Sequence, residues 1–366
     1  MACNVDKLRC NYYIVDNAAT QQNGGRHAQS NSARVHHTSH SGVIFCFSAE
    51  LGRGLPVSLI APAVNVRLKS VLIATDFSEA SAKPLRHALA IARHYGAKFY
   101  LAHVVSSSGF TLVGPDAVAA ATGAAWRDVL QLEDDLAQRG TLAGLRHEVI
   151  VRQGNVWQEL DKVVRQEQVD LLVIGTHGRR GLGKVLFGSV AEQIFRHADC
   201  FVLTVGLGSF QEPPVESTSL VWPFLFATDF GEASLHALPY AISFANDFGA
   251  KLVLLHVVSP VGVSEGFRWH TGGDLMQMRE NARMASLRRL QELVPQNTEL
   301  AVKPEFIVEF GSPSEKILRA AETFQVDAII MGLHRSAHID MASHALWTTA
   351  YEVVRGASCP VLTVRN

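Results

Sequence analysis

The sequence predicts an α/β protein made of two tandem doubly wound domains, each a mostly parallel five-stranded sheet with helices on both faces. Three observations carry this. Four short segments recur in the same order along the chain, the strand segments are apolar throughout, and strand patterns alternate with helical ones. Val71-Leu-Ile-Ala-Thr-Asp-Phe77 recurs as Phe224-Leu-Phe-Ala-Thr-Asp-Phe230, and Leu101-Ala-His-Val-Val-Ser106 as Leu254-Leu-His-Val-Val-Ser259. Val169-Asp-Leu-Leu-Val-Ile-Gly175 recurs as Val326-Asp-Ala-Ile-Ile-Met-Gly332, and Cys200-Phe-Val-Leu-Thr-Val205 as Cys359-Pro-Val-Leu-Thr-Val364. The offset grows only from 153 to 157 to 159, so short insertions alone separate the copies.

Within the first copy, Ser70–Ala74 reads as a short buried strand. Ser78–Tyr95 has helical spacing through Leu85, Leu89 and Ala92, and Gly96 is its stop. Lys98–Val105 is a second strand. Asp116–Arg139 is helical in its later part, and His147–Val151 is a third strand. Then come a helix over Val156–Gln166, a strand over Leu171–Gly175, a helix over Ser189–His197 and a last strand over Phe201–Val205. Strands without polar alternation are buried on both faces, as in a parallel sheet covered by helices. The expected division is an N-terminal extension over 1–66, largely disordered, a first domain over 67–206, a linker over 207–220 and a second domain over 221–366. Asn17–Ser41 has almost no large apolar residues, which argues against a packed core there. The alternative is that the translated product starts near Val66.

The chain has 366 residues, 48% of them hydrophobic, with 33 Lys and Arg against 34 Asp and Glu. A net charge of −1 offers no case for nucleic acid or an anionic membrane. No apolar run reaches the ~18 residues that a membrane helix needs. Five cysteines without metal spacing suit a reducing compartment, and the expected location is cytoplasmic. Cys200 and Cys359 read as small buried hydrophobes.

Ligands of open α/β sheets bind beyond the carboxyl ends of the strands, where the strand order reverses. Two polar features fall there: Thr75-Asp76 after the first strand, and the glycine-rich stretch from Gly175 to Ser189 after the fourth. Glycines admit a close approach of backbone to ligand, and the helix from Ser189 presents free N–H groups and a partial positive charge. Arg179, Arg180 and Lys184 lie in the same stretch, so together these features describe a polyphosphate cradle. Bland readings compete. Asp76 and Ser78 can cap a helix, and Ser189-Val-Ala-Glu192 has the form of a capping box. Gly178-x4-Gly183-Lys184 imitates a Walker loop, but Val185 stands where the Mg²⁺-binding hydroxyl belongs.

These residues resemble the universal stress protein family over both repeats, from about Val66 to Asn366. The markers are the Asp after the first strand, the His-Val of the second, and Gly175-x2-Gly178-x9-Gly188-Ser189 before the last helix. The resemblance implies an adenine nucleotide alpha hydrolase-like fold and ATP, with Mg²⁺ as its counter-ion, in the first domain. It places Ala74, Thr75, Asp76 and Val104 around adenosine, with Asp76 accepting from the ribose or lying near the adenine. Ile174, Gly175, His177, Gly178 and Arg179 would flank ribose and phosphates, and Gly188, Ser189 and Val190 would meet the phosphate chain. The second repeat departs from the pattern: Arg335 replaces the second glycine and Trp347 the third. No family-type ATP site is expected there. Family dimers pair through the last strand, which implies an intrachain pseudo-dimer of Phe201–Val205 with Val361–Val364; a homodimer of whole chains is compatible with this. No catalytic residue stands out. The leading reading is an ATP-binding regulatory protein. A slow ATPase or autophosphorylating enzyme and a nucleotide-independent interaction scaffold are the alternatives.

Overall fold

The computed structural model describes residues 64–106, 115–176, 188–206, 223–259, 272–294, 298, 300–334 and 341–366. The first repeat contains strands β1 (Ser70–Ala74), β2 (Lys98–Ser106), β3 (His147–Gly154), β4 (Leu171–Gly175) and β5 (Phe201–Val205). Its helices are α1 (Ala82–Tyr95), α2 (Pro115–Gln138), α3 (Val156–Gln166) and α4 (Ser189–His197). The second repeat contains β6 (Phe224–Thr228), β7 (Leu252–Val258), β8 (Glu305–Phe310), β9 (Ala328–Leu333) and β10 (Val361–Arg365). Its helices are α5 (Glu232–Asp247), α6 (Gly272–Leu293), α7 (Pro313–Thr323) and α8 (Met341–Gly356).

All ten strands form one sheet in the order β3-β2-β1-β4-β5-β10-β9-β6-β7-β8. Each half is parallel, and the halves meet through the antiparallel pair β5–β10, with Leu203 opposite Leu362. The expected pairing of the two last strands is therefore present within the chain. In each half the chain winds outward from its first strand, then returns to the other side of it. The strand order thus reverses between β1 and β4, and again between β6 and β9.

Alternation along the strands divides the interior into two layers that both cross the repeat boundary. Val71 and Ile73 face the layer under α1, α2, α5 and α6, whereas Leu72 faces the layer under α3, α4, α7 and α8. At the centre, His94 of α1 stacks on Phe248 with ring centroids 4.2 Å apart, and the Tyr95 hydroxyl donates to Asp247 at 2.6 Å. Phe201 of β5 packs edge-on against Tyr240 of α5.

Several element boundaries differ from the sequence reading: β2 runs to Ser106 and β3 to Gly154, beyond the expected Val105 and Val151. The segment after Ser78 opens with a 3-10 turn over Glu79–Ser81, and the α-helix proper starts at Ala82. The second helix is helical from Pro115, not only in its later part, because its first turns are rich in alanine, the strongest helix former. The stop at Gly96 is as expected: it takes a left-handed φ of 62° and returns its N–H to Ala92 and Arg93. Of the cysteines, Cys359 is buried as read and Cys200 is only partly buried against the core, and desolvation pushes both thiol pKa values up to about 12.

Candidate functional site

The turn that follows β1 is built around one carboxylate oxygen. Asp76 Oδ1 accepts from the Ser78 amide (3.0 Å), the Ser78 hydroxyl (2.6 Å) and the Ser81 hydroxyl (2.7 Å). Thr75 Oγ1 accepts from the Phe77 amide at 3.1 Å. These bonds hold Phe77 at φ 60°, in the left-handed region that a bulky residue seldom occupies. Its ring lies over His103, whose Nδ1 is 2.7 Å from the Thr75 carbonyl. The capping reading of Ser78 is corrected: its side chain makes no cap bond, and the acceptor at the helix start is Asp76.

The second repeat repeats the device. Asp229 Oδ1 accepts from the Gly231 amide (2.9 Å) and the Ser234 hydroxyl (2.7 Å), Phe230 has φ 62°, and its ring covers His256. Burial lowers the His256 pKa, so the neutral ring donates Nδ1–H to the Thr228 carbonyl, 2.9 Å away. The serine five residues after each aspartate, Ser81 and Ser234, was legible in the sequence but not read as part of the site.

Beside this turn, Ala74, Val104, Ile174 and Gly175 sit toward the carboxyl ends of β1, β2 and β4. The Thr176 amide donates to Val205, and the Gly188 amide donates to Thr176 at 3.0 Å, which ties the entry of α4 to the end of β4. Gly188 is the N-cap and, having no side chain, leaves the helix start without a side-chain acceptor. The capping box is therefore not made: Ser189 lies inside the helix, and Glu192 pairs with Arg196 at 2.8 Å. The amides of Ser189, Val190 and Ala191 have no acceptor within the helix, as at any helix start. His177, Gly178 and Arg179, with Arg180 and Lys184, lie outside the described residues.

Gly188 has φ −62° and ψ 144°, which any residue adopts, and an added Cβ would come no nearer than 3.6 Å to the Thr176 carbonyl. Nothing in the described fold requires glycine here. Gly332 is the opposite case, since a Cβ there would lie 2.1 Å from the Ala233 carbonyl. That glycine answers to the packing of β9 against the start of α5.

At the second switch point lies a cavity of about 110 Å³. Its lining includes Ala227, Thr228, Asp229 and Val257, the repeat partners of Ala74, Thr75, Asp76 and Val104. It also includes Met331, Gly332, His334 and Thr349, the partners of Ile174, Gly175, His177 and Val190. Eight of the twelve positions singled out in the first repeat thus have counterparts that converge on one cavity in the second. The helix beside the cavity differs. Thr348 is the partner of Ser189, yet it lies inside α8, which already starts at Met341. At that point backbone amides are bonded within the helix rather than free. Arg335 lies outside the described residues, and Trp347 is a helical residue of α8. Among the described residues, no three His, Cys, Asp or Glu side chains converge as a metal site.

Fold and site define a class: a tandem doubly wound α/β protein whose candidate sites lie at the two topological switch points. The model of the universal stress protein family matches residues 67–206 and 223–365, and the chain belongs to that family. Universal stress protein MJ0531 of Methanocaldococcus jannaschii is 29% identical over 145 residues, which cover 37% of this chain and 81% of the relative. A universal stress protein of Mycolicibacterium smegmatis is 25% identical over 315 residues, 81% of this chain and 96% of the relative. The crystal structure of a universal stress protein from Archaeoglobus fulgidus shares the fold, with a TM-score of 0.55 and 22% identity over 82% of this chain and 99% of that one.

Proposed function

We propose that the first domain binds one ATP per chain, across the carboxyl ends of β1, β2 and β4 and the start of α4, and that occupancy regulates the protein. The observation that carries this reading is Gly188. A residue that the described packing does not require to be glycine stands at an uncapped helix start, at the switch point, where a side chain would occupy the approach to the amides of Ser189 and Val190. In this reading Ala74, Thr75, Asp76 and Val104 line the nucleoside end. Ile174, Gly175, His177, Gly178 and Arg179 follow toward the phosphates, and Gly188, Ser189 and Val190 meet them. Because Asp76 Oδ1 already serves three donors, its part toward the ribose is to hold the turn in shape. Mg²⁺ would arrive with the nucleotide, since this ion is commonly held by substrate phosphates with few protein ligands. The early start of α8 supports the same reading from the other side, because the second domain lacks a free helix start at the equivalent place.

The test is nucleotide release from freshly purified, denatured protein, followed by titration of the emptied chain with ATP. One equivalent is expected. Gly188→Trp, which copies the second repeat into the first, should abolish binding with an unchanged circular dichroism spectrum. Normal ATP affinity in that variant would refute the assignment. Steady-state phosphate release lost in the same variant would reassign the protein as an ATPase.

A further inference from the structure

We infer that the outer edge of β3 is a docking surface for β3 of a second copy of this chain, paired antiparallel about a two-fold axis at Ile150. Three observations combine. The first is the open edge. β3 ends the ten-stranded sheet and, among the described residues, pairs only with β2. The Phe99 amide donates to the Arg146 carbonyl, and in that parallel register the backbone groups of Glu148, Ile150 and Arg152 also turn toward β2. Those of His147, Val149, Val151 and Gln153 therefore point outward along the edge. The strand has an apolar centre, Val149-Ile150-Val151, and no proline or lysine to blunt it.

The second observation is charge. Antiparallel pairing about Ile150 sets Glu148 of each copy opposite Arg152 of the other. These positions alternate with the outward-bonding ones, so they form the close pairs of the ladder, with Cα atoms about 4.5 Å apart. In the same register Val149 of one copy exchanges backbone bonds with Val151 of the other, so ladder and ion pairs agree. Arg152 is exposed, and among the described residues no carboxylate pairs with it. Glu148 gives Oε2 to Lys98 at 2.7 Å, which leaves Oε1 for a second cation. The far edge of the sheet has the opposite property. Pairing β8 with itself about Ile307 would set Glu305 against Glu309, and Pro304 precedes the strand. The third observation is apolar surface: α2, which packs on β2 and β3, exposes Trp126 and Leu130 one turn apart. A two-fold axis at β3 keeps both copies of α2 on one face of the continued sheet, as the β5–β10 seam keeps α1 and α5, and the pair closes on itself.

The measurement is sedimentation velocity of the full chain over a range of concentrations. A monomer–dimer equilibrium without larger species is expected. Arg152→Glu leaves the Lys98–Glu148 pair in place and should weaken dimerisation at least about tenfold, since the two-fold axis counts the change twice. Glu148→Arg should do the same. An equimolar mixture of the two variants restores opposite charges at both contacts and should dimerise about as tightly as the wild type, a recovery that misfolded chains could not show. A monomer at every concentration, as when the chain's own residues cover the edge, would overturn the inference. So would species larger than a dimer, a dimer indifferent to both single reversals, or variants that stay monomeric when mixed.

Discussion

Asp327 shows what one lost donor does. Its repeat partner Asp170 accepts from the amides of Lys69 (2.6 Å) and Ser70 (3.0 Å) and from the Ser70 hydroxyl. In the second repeat Pro223 stands at the position of Ser70 and has neither amide hydrogen nor hydroxyl. Asp327 Oδ2 is consequently buried without a partner among the described residues, and desolvation raises its pKa from 3.8 to about 7. A carboxyl raised on folding binds its proton more tightly in the native state, so it costs stability as pH rises through that interval. Asp327→Asn should therefore match the wild type below about pH 4 and be the more stable chain above pH 7, as read by urea denaturation at several pH values. The glycines make separate residue-scale predictions. Gly332→Ala should destabilise by about 1–3 kcal/mol, because the new Cβ has to displace the start of α5. Gln168 is an exposed residue held at φ 49° after α3, and Gln168→Gly should stabilise by about 1 kcal/mol, measured as a rise in the urea midpoint. The repeat aspartates were legible in the sequence. The difference between them was not, because it depends on which backbone donor reaches across from the neighbouring strand.

At the scale of elements, the strands and helices of the first repeat were legible nearly to the residue, since a continuous apolar run and a 3.6-residue period leave little choice. The starts of α3 and α4 were legible too, but the cap of α4 was not. Ser189-Val-Ala-Glu192 satisfies the pattern of a capping box, but the chain enters α4 one residue earlier, through an extended Gly188 anchored to Thr176. Likewise Arg335 and Trp347 in place of two glycines pointed to a lost site, but not to the helix lengthened at its N-terminus that occupies this place from Met341. The other end of α4 is closed by a residue from the far end of the chain. Arg365, the last residue of β10, donates to the carbonyls of Arg196 (2.8 Å) and Phe195. A cation on the final carbonyls of a helix satisfies orphan acceptors and opposes the helix dipole. Arg365→Ala should cost about 1–2 kcal/mol of global stability, read by thermal or urea unfolding, and the loss should shrink at high salt.

For the whole molecule, the two repeats are not beads on a string. The sheet is continuous through β5 and β10, both apolar layers cross the boundary, and the Val66 amide donates to Ser243 of the other repeat. Tyr95→Phe, which removes the bond to Asp247 without changing shape, should weaken this union by about 1 kcal/mol. Both repeats should still unfold in a single transition, seen as coincident curves by fluorescence and circular dichroism.

The antiparallel meeting of β5 and β10 also decides how the protein responds to its own abundance. Two separate subunits joined along such an edge would fall apart on dilution, and their melting temperature would follow their concentration. Here the partner is supplied by the same polypeptide, so its effective concentration is set by chain length alone. A cell can hold a handful of copies or flood itself with them, and each molecule arrives already paired. Joining the halves also lets them diverge, since no symmetry forces a change in one site upon the other.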